Sequence, residues 1–254
     1  MKSFGRITSV FIFSIICIYF LSGCSGFTAL SEGNQDKNES RAFAKDFSRT
    51  AASTLAPVYA PLAEQIVADF GLIDKEGVGI DLGGGTGSLI VELAKRTRTM
   101  NWILADINPE VFPYAAKTAD IEGVGHRIGM IAADAKVLPF RDNYADILVS
   151  RGSFQFWGDL NIAFSEVYRI LKPGGIAYIG RGLSRNLPVE TARIVRFGKD
   201  GKGGNSPKYD LDKTAETFET TLKKLGITDY IIHRPVPPGS EGINYGIWLE
   251  FHKQ

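Results

Sequence analysis

Cysteine is scarce in this chain of 254 residues, which contains only Cys17 and Cys24. No cysteine follows Cys24, so the rest of the chain has no thiol from which to build a disulfide framework. The same absence excludes a cysteine metal site and a cysteine nucleophile there. Any chemistry in the folded part of the chain must therefore depend on other side chains.

An excess of charge of one sign is also absent, because 29 Lys and Arg residues stand against 28 Asp and Glu residues. Nucleic-acid-binding proteins normally carry a basic excess, so we do not expect nucleic acid as a partner. Hydrophobic residues make up 44% and charged residues 22% of the chain, which is the balance of an ordinary globular protein. The length allows one large domain or two small ones.

Histidine is rare, and no two of His126, His233 and His252 have the spacing of metal ligands on a single element. The sequence also lacks a Gly-x-Ser-x-Gly segment, the turn that presents the nucleophile of many serine hydrolases. We therefore predict neither a metal site nor a serine nucleophile.

The N-terminal residues 1–23 differ from the rest of the chain. Lys2 and Arg6 precede a 17-residue run without a charge, which is typical of a secretory signal peptide. The run is at the short limit for a membrane-spanning helix. The segment Leu21-Ser22-Gly23-Cys24 resembles the lipobox of bacterial lipoproteins, which implies that Cys24 is lipidated and holds the protein at a membrane.

An uncleaved N-terminal anchor at the cytoplasmic face of the membrane is the alternative. The residues that follow are small and polar, so residues 24–40 are predicted to form a flexible tether. Residues 41–254 are predicted to form the folded domain.

Strand-like runs alternate with helical ones along most of this domain, which predicts an α/β fold with a doubly wound parallel sheet. The predicted strands are Val78–Leu82, Trp102–Asp106, Ile128–Ala133, Asp146–Ser150, Ile176–Gly182, Ile227–His233 and Tyr245–His252. The predicted helices are one that begins at Pro61, then Ser88–Arg96, Pro109–Ile121, Leu160–Leu171 and Leu211–Leu225. The gap between the last two strands is too short for a crossover helix, so they are predicted to form a C-terminal antiparallel hairpin.

A glycine-rich turn follows the first predicted strand, in the segment Asp81-Leu82-Gly83-Gly84-Gly85-Thr86-Gly87. Glycines let the backbone turn tightly and approach a ligand without Cβ clashes. A dinucleotide fingerprint, G-x-G-x-x-G, would need its third glycine at position 88, which is Ser88. The turn therefore fits a ligand without a pyrophosphate better than it fits NAD.

The turn and four later segments resemble the class I S-adenosylmethionine-dependent methyltransferases, in the small-molecule branch that includes quinone and sterol methyltransferases. The later segments are Leu104–Asn108, Ala132–Ala135, Leu138–Asp146 and Glu166–Gly175. The resemblance implies a Rossmann-like, seven-stranded mixed sheet of order 3-2-1-4-5-7-6, with S-adenosylmethionine as the cofactor.

The resemblance also implies roles for three carboxylates. Asp106 is expected to accept hydrogen bonds from the ribose hydroxyls, and Asp134 to accept one from the adenine amino group. Asp81 is expected to help hold the turn and the methionine amino group. Alternatively, Asp81 only caps the turn and Asp134 is a solvated loop acid. The other predicted cofactor-binding residues are Gly83, Gly84, Gly85, Gly87, Ile107, Ala135, Arg151 and Tyr59.

The segment after the fourth predicted strand contains three aromatic residues within four positions. Open α/β sheets bind ligands at this edge, so we predict a substrate pocket there. Its predicted residues are Ser153, Phe154, Phe156 and Trp157. The alternative is that the aromatic rings pack against the following helix. Arg151 is expected to meet the cofactor carboxylate or a substrate anion.

We therefore expect residues 41–254 to be a methyltransferase domain that transfers a methyl group from S-adenosylmethionine to a small-molecule acceptor. No catalytic side chain is assigned, because a sulfonium already activates the methyl group. Two alternatives are a lipid-anchored binding protein that keeps the nucleoside site without catalysis, and an NAD-dependent oxidoreductase. The first is prompted by a conflict between an exported N-terminus and a cofactor made in the cytoplasm.

Overall fold

The computed structural model of the protein describes residues 32–199 and 209–254. Residues 39–254 form one compact unit, and the unit before it, residues 1–38, is described only at the start of a helix. The predicted signal peptide or anchor, Cys24 and residues 24–31 of the predicted tether lie outside the described residues. Within the described ranges, no helix is long and apolar enough to cross a membrane.

The domain alternates strands with helices, as the sequence predicts. The helices are α1 (Glu32–Ala52), α2 (Ala56–Asp69), α3 (Ser88–Arg96), α4 (Phe112–Ile121), α5 (Leu160–Ile170), α6 (Val189–Phe197) and α7 (Leu211–Leu225). The strands are β1 (Gly77–Leu82), β2 (Met100–Asp106), β3 (Ile128–Ala132), β4 (Ala145–Arg151), β5 (Leu171–Gly182), β6 (Tyr230–His233) and β7 (Gly246–His252). Short 3₁₀ turns lie at Pro109–Val111, Gly125–Arg127 and Phe154–Phe156.

The seven strands form one sheet in the order β3-β2-β1-β4-β5-β7-β6, which confirms the predicted order. The first five strands are parallel, whereas β7 runs antiparallel to both β5 and β6. The predicted C-terminal hairpin is therefore confirmed. The chain order reverses between β1 and β4, which makes that gap the topological switch point where open α/β sheets bind ligands.

Two apolar layers cover the two faces of the sheet. Successive side chains of a strand point to opposite faces, so one strand contributes to both layers. One face of β4 contributes Ile147 and Val149 to a cluster with α2, α3 and α4. The other face contributes Leu148 to a cluster with α5 and α7. The sequence of a strand that is buried on both faces is a nearly continuous hydrophobic run, as is typical of parallel sheets.

Side-chain caps set several helix boundaries. The Asp159 carboxylate accepts a hydrogen bond from the Asn161 N–H at 2.8 Å, and Asp210 accepts bonds from the first N–H groups of α7. Gly226 ends α7 in the left-handed conformation. These are the residue types that favour helix ends, and they account for the agreement between predicted and observed boundaries.

The N-terminal elements differ from the prediction. Residues 32–40, predicted as tether, are helical in α1, whose later turns are held by contacts with the domain. The polar composition of residues 32–40 predicted a tether because it lacks an apolar stripe. The helix α2 begins at Ala56 with Pro57 in its first turn, and not at Pro61, which lies inside the helix. Pro57 takes the position where a missing N–H costs nothing.

Arg169 fastens the loop before β4 to helix α5. Its guanidinium donates to the carbonyls of Phe140 and Leu138, to Glu166 and to Asp142, at 2.7–3.1 Å. The Glu166 carboxylate in turn accepts from the Leu138 N–H at 2.8 Å. The hydrogen bonds from Arg169 and Leu138 hold the pKa of Glu166 below its usual range against the effect of burial. The segment Glu166–Gly175 thus positions the loop that leads to the switch point.

Replacing Arg169 with Ala should lower the free energy of unfolding by about 1–3 kcal/mol, because two partly buried carbonyls lose charged donors. Arg98→Ala is the matched control, since it breaks an exposed ion pair with Asp74 and should cost less than about 1 kcal/mol. Urea denaturation at a common m-value measures both. Equal losses in the two variants would contradict a structural role for the Arg169 network.

Candidate functional site

The predicted cofactor residues meet at the carboxyl ends of β1 to β4. In the register of the sheet, Asp81 pairs with Leu104 of β2 and Val149 of β4, and Asp106 pairs with Ala132 of β3. Parallel strands end at one edge, so residues distant in sequence lie side by side there. This edge includes the switch point between β1 and β4.

The Asp106 carboxylate ties the glycine turn to the end of β2. Its Oδ2 atom accepts a hydrogen bond from the Gly85 N–H at 2.9 Å, and its Oδ1 atom accepts one from the Asn108 N–H at 2.9 Å. Burial raises the pKa of Asp106, while these backbone donors act in the opposite direction. Each oxygen has a further lone pair, so the oriented carboxylate has the capacity to accept both hydroxyls of a cis-diol.

Helix α1 covers this turn. Gly85 has a φ of +57°, and a Cβ at this position would lie 2.6 Å from Cε1 of Phe47. Arg41 forms an ion pair with Glu110 at 3.0 Å, and the Asn108 side chain donates to the Ser40 carbonyl. Sequence reasoning missed Phe47 as a site residue, and its spacing of four positions from Phe43, typical of one helical face, is the signal that could have found it. The turn therefore has an aromatic cover that depends on glycine beneath it.

Asp81 is buried beside the turn and has one unused oxygen. Its side chain is 1% exposed, and its Oδ2 atom has no hydrogen-bond partner among the described residues. Burial and then the nearby Asp106 charge raise the pKa of Asp81 to about 7, against a hydrogen bond from the Ile90 backbone and the charge of Arg151. Asp81 thus lies close to the start of α3 and keeps an acceptor for a cationic group. Its roles toward the turn and toward the methionine amino group stay predictions.

The loop after β3 is joined to the same edge. The Ala133 N–H donates to the Asp106 carbonyl at 3.0 Å, which brings Asp134 next to the end of β2. Asp134 accepts from the Lys136 N–H at 2.9 Å and is more than one-third exposed. Ile107 is 71% exposed while Ala135 is buried. An exposed isoleucine beside two carboxylates offers an apolar surface, and the adenine contacts of this loop stay a prediction.

Arg151 and Tyr59 contact each other, and the charge of Arg151 acts on Asp81. The Arg151 guanidinium carbon is 5.2 Å from the centroid of the Tyr59 ring, and its Nε donates to the Gly182 carbonyl at 3.2 Å. Tyr59 itself is buried in α2. The predicted pair therefore meets in space, with the cation held over an aromatic face.

The predicted substrate-pocket residues differ in their surroundings. Ser153 Oγ donates to the Leu82 carbonyl at 3.0 Å and accepts from Trp157 Nε1 at 3.1 Å, so it braces the loop after β4 against β1. Phe154 and Trp157 are each 7% exposed and pack on Phe218 and Phe164, respectively. The alternative of packing against the following helix thus describes Trp157, since Phe164 lies in α5, whereas Phe154 packs on the later helix α7. Phe156 is half-buried, and its pocket role stays a prediction.

The histidines make local contacts. His233 Nε2 lies 2.7 Å from a Glu250 oxygen, and His252 Nε2 lies 3.4 Å from the other. Across the described ranges, no group of three or more His, Cys, Asp or Glu side chains is arranged to hold a metal ion.

An adenosine with an amino acid end fits this edge. The glycine turn has no Cβ beneath Phe47, Asp106 is oriented for a diol, and the orphan oxygen of Asp81 suits an ammonium group. The doubly wound α/β fold thus places donors and acceptors that suit S-adenosylmethionine at one edge of its sheet.

Comparisons with known proteins agree with this class. Residues 80–179 match the family model of a methyltransferase domain. A solved structure from Methanococcus maripaludis, described as an S-adenosyl-L-methionine-dependent methyltransferase, is 30% identical and has a TM-score of 0.71. The match covers 91% of this chain and 98% of that chain. This chain belongs to the S-adenosyl-L-methionine-dependent methyltransferases.

Two curated relatives match this chain over part of their length. The 2-methyl-6-phytyl-1,4-hydroquinone methyltransferase 2 of Oryza sativa subsp. japonica is 35% identical over 166 residues, which are 65% of this chain and 42% of the relative. The ubiquinone/menaquinone biosynthesis C-methyltransferase UbiE of Rickettsia prowazekii is 34% identical over 100 residues, 38% of this chain and 40% of the relative. The chain spans about two fifths of the length of these relatives.

Replacing Asp106 with Ala should weaken S-adenosylhomocysteine binding at least about tenfold, because two hydrogen bonds to a charged group are lost. Asp106→Asn should also weaken it while keeping the shape of the side chain. Calorimetric titration measures the affinity, and Asp74→Ala at an exposed remote position is the control. An unchanged dissociation constant in folded Asp106→Ala would count against the placement of the ribose.

S-adenosylmethionine binding should weaken roughly tenfold as the pH falls from 7.5 to 5.5, because protonation removes the Asp81 charge that faces the ammonium group. An α-amino group with a pKa near 8 stays largely protonated over this range. Asp81→Asn should bind more weakly at pH 7.5 and show no such slope. A slope retained in Asp81→Asn would assign the titration to another group.

Proposed function

We propose that the chain catalyses methyl transfer from S-adenosylmethionine to a small-molecule acceptor. The observation that carries the proposal is the hydrogen bond from Gly85 to Asp106, which fixes a diol-binding carboxylate against the glycine turn. The family assignment supports the cofactor. The near-zero net charge argues against a nucleic-acid acceptor.

Positioning accounts for the reaction without an assigned catalytic side chain. The sulfonium of the bound cofactor supplies an electrophilic methyl group and its own leaving group. Asp106 and Asp81 hold the two ends of the cofactor, and Phe47 on α1 shields the turn from water. Holding two reactants in line is worth roughly 7–11 kcal/mol of a barrier. A base is needed only for an acceptor that must lose a proton.

Titration of the full chain with S-adenosylmethionine, S-adenosylhomocysteine and NAD tests the cofactor. We expect the first two to bind and NAD not to bind, since the turn lacks the third glycine of the dinucleotide fingerprint. Preferential binding of NAD would contradict the proposal and favour an oxidoreductase.

Production of S-adenosylhomocysteine in the presence of acceptors tests catalysis. Hydroquinones are the first acceptors to assay, because the Oryza relative is named as a hydroquinone methyltransferase. Turnover should fall at least about tenfold in Asp106→Ala at subsaturating cofactor, following the loss of affinity. The control His233→Gln should stay within a few-fold of wild type. Tight cofactor binding without turnover on any acceptor would favour the alternative of a nucleoside-binding protein.

Attachment to a membrane through a lipid on Cys24 is a separate proposal that rests on the Leu21–Cys24 segment alone. The uncleaved anchor remains its alternative. Loss of lipid label in Cys24→Ser, with wild-type label in Cys17→Ser, would support lipidation. Equal labelling in both variants would oppose it.

A further inference from the structure

Three arginines converge beyond the switch point, on the side of the sheet edge away from Asp106. Arg151 ends β4, Arg181 lies one residue before the end of β5, and Arg196 lies in the last turn of α6. Tyr209, which precedes α7, contacts the group. We refer to Arg151, Arg181 and Arg196 as the arginine cluster.

Aromatic rings and carbonyls hold two members of the cluster. The Arg181 guanidinium carbon is 4.7 Å from the centroid of the Tyr209 ring, and the Tyr209 hydroxyl donates to the Arg181 carbonyl. Arg151 lies over Tyr59 and donates to Gly182. Neither contact neutralises a positive charge, so both guanidinium groups keep donors for a further ligand.

Arg196 is the buried member and has an unused donor. Its side chain is 6% exposed, its Nε donates to the Asn244 carbonyl at 2.8 Å, and its Nη2 has no partner among the described residues. Burial lowers the pKa of Arg196 to about 10, and the positive charges of Arg151 and Arg181 act in the same direction. Arg196 is therefore a cation at neutral pH, close to two others.

The cluster forms no ion pair within the described part of the chain. Arg169 and Arg185 each form an ion pair with a carboxylate, whereas no such pair is formed there by Arg151, Arg181 or Arg196. A buried cation without an anion is costly, and its removal from water is offset only by a partner of opposite charge. The arrangement therefore favours a ligand that brings the anion.

We propose that the arginine cluster is a subsite for an oxyanion of the methyl acceptor, a phosphate, diphosphate or carboxylate group. This inference rests on the proposed methyltransferase function and names its substrate class. Guanidinium groups bind such oxyanions through paired hydrogen bonds. Three cations and the unused donor of buried Arg196 exceed what one carboxylate of a cofactor requires.

The position of the cluster fits an acceptor and not the cofactor alone. Asp106 ends β2 and Asp134 follows β3, on one side of the glycine turn, whereas Arg181 and Arg196 belong to β5 and α6 on the other. Arg151 lies between the two groups, since its charge acts on both Asp81 and Arg196. The two subsites are thus adjacent and separate.

Titration of the full chain saturated with S-adenosylhomocysteine tests the proposal, with sodium pyrophosphate and sodium malonate as probes. We expect saturable binding of at least one probe, above a KCl control of equal ionic strength. Pyrophosphate as the tighter probe would indicate a phosphorylated acceptor, and malonate a carboxylated one. Binding of neither probe would overturn the proposal.

Arg196→Gln should weaken probe binding at least tenfold, while Arg193→Gln on the same helix should not. Arg193 pairs with Glu190 and is half-exposed, so it controls for general charge. Arg181→Gln, at a less buried position, gives the same test if Arg196→Gln fails to fold. Equal losses in Arg193→Gln and the cluster variants would overturn the assignment.

S-adenosylhomocysteine affinity in the same variants separates the two proposals. An unchanged affinity with loss of probe binding supports an acceptor subsite. Competition between probe and S-adenosylhomocysteine would assign the arginines to the cofactor carboxylate and overturn the inference. If S-adenosylhomocysteine fails to bind wild type, the proposed function fails, and pyrophosphate titration of the unsaturated chain still reports on the arginine cluster.

Discussion

The carboxylate of Asp106 is the interaction on which the edge of this sheet depends. By accepting the N–H groups of Gly85 and Asn108, it fixes the glycine turn relative to the loop that follows β2. That loop in turn receives helix α1 through Asn108 and Glu110. The Asp106 side chain thus positions the glycine turn directly and helix α1 indirectly. A shorter side chain at this position would remove both constraints.

Opposite charges lie on opposite sides of the switch point. Burial first, and then the nearby Asp106 charge, disfavour the ionised form of Asp81 and raise its pKa. The arginine cluster, on the β5 side, repels itself in the same way. A ligand of opposite charge lowers the electrostatic free energy of each group. Relief of the repulsion within the group therefore contributes to the free energy of binding. A cationic cofactor beside an anionic acceptor would relieve both.

Most of the sheet and the cofactor edge could be predicted from sequence because local signals agree there. The strand β1, its glycine turn and the helix α3 follow one another without interruption, and caps such as Asp159 mark the helices plainly. The aromatic residues after β4 were ambiguous. Phe154 and Trp157 satisfy the pattern of a pocket wall and of a core equally well, and only Phe218 and Phe164, from other elements, decide for the core.

The helix α6 was not predicted from the sequence, because a buried arginine interrupts its apolar face. Its buried positions are Ala192, Val195 and Arg196, so the apolar stripe that would reveal a helix is interrupted by a charge. Places where a local rule fails in a folded protein are expected to be strained or functional. The fold tolerates Arg196 at a buried position of α6, on the helix whose Ala192 and Val195 belong to an apolar cluster. A buried guanidinium with an unused donor is more readily understood as binding capacity than as packing, since a leucine would fill the same face at lower cost.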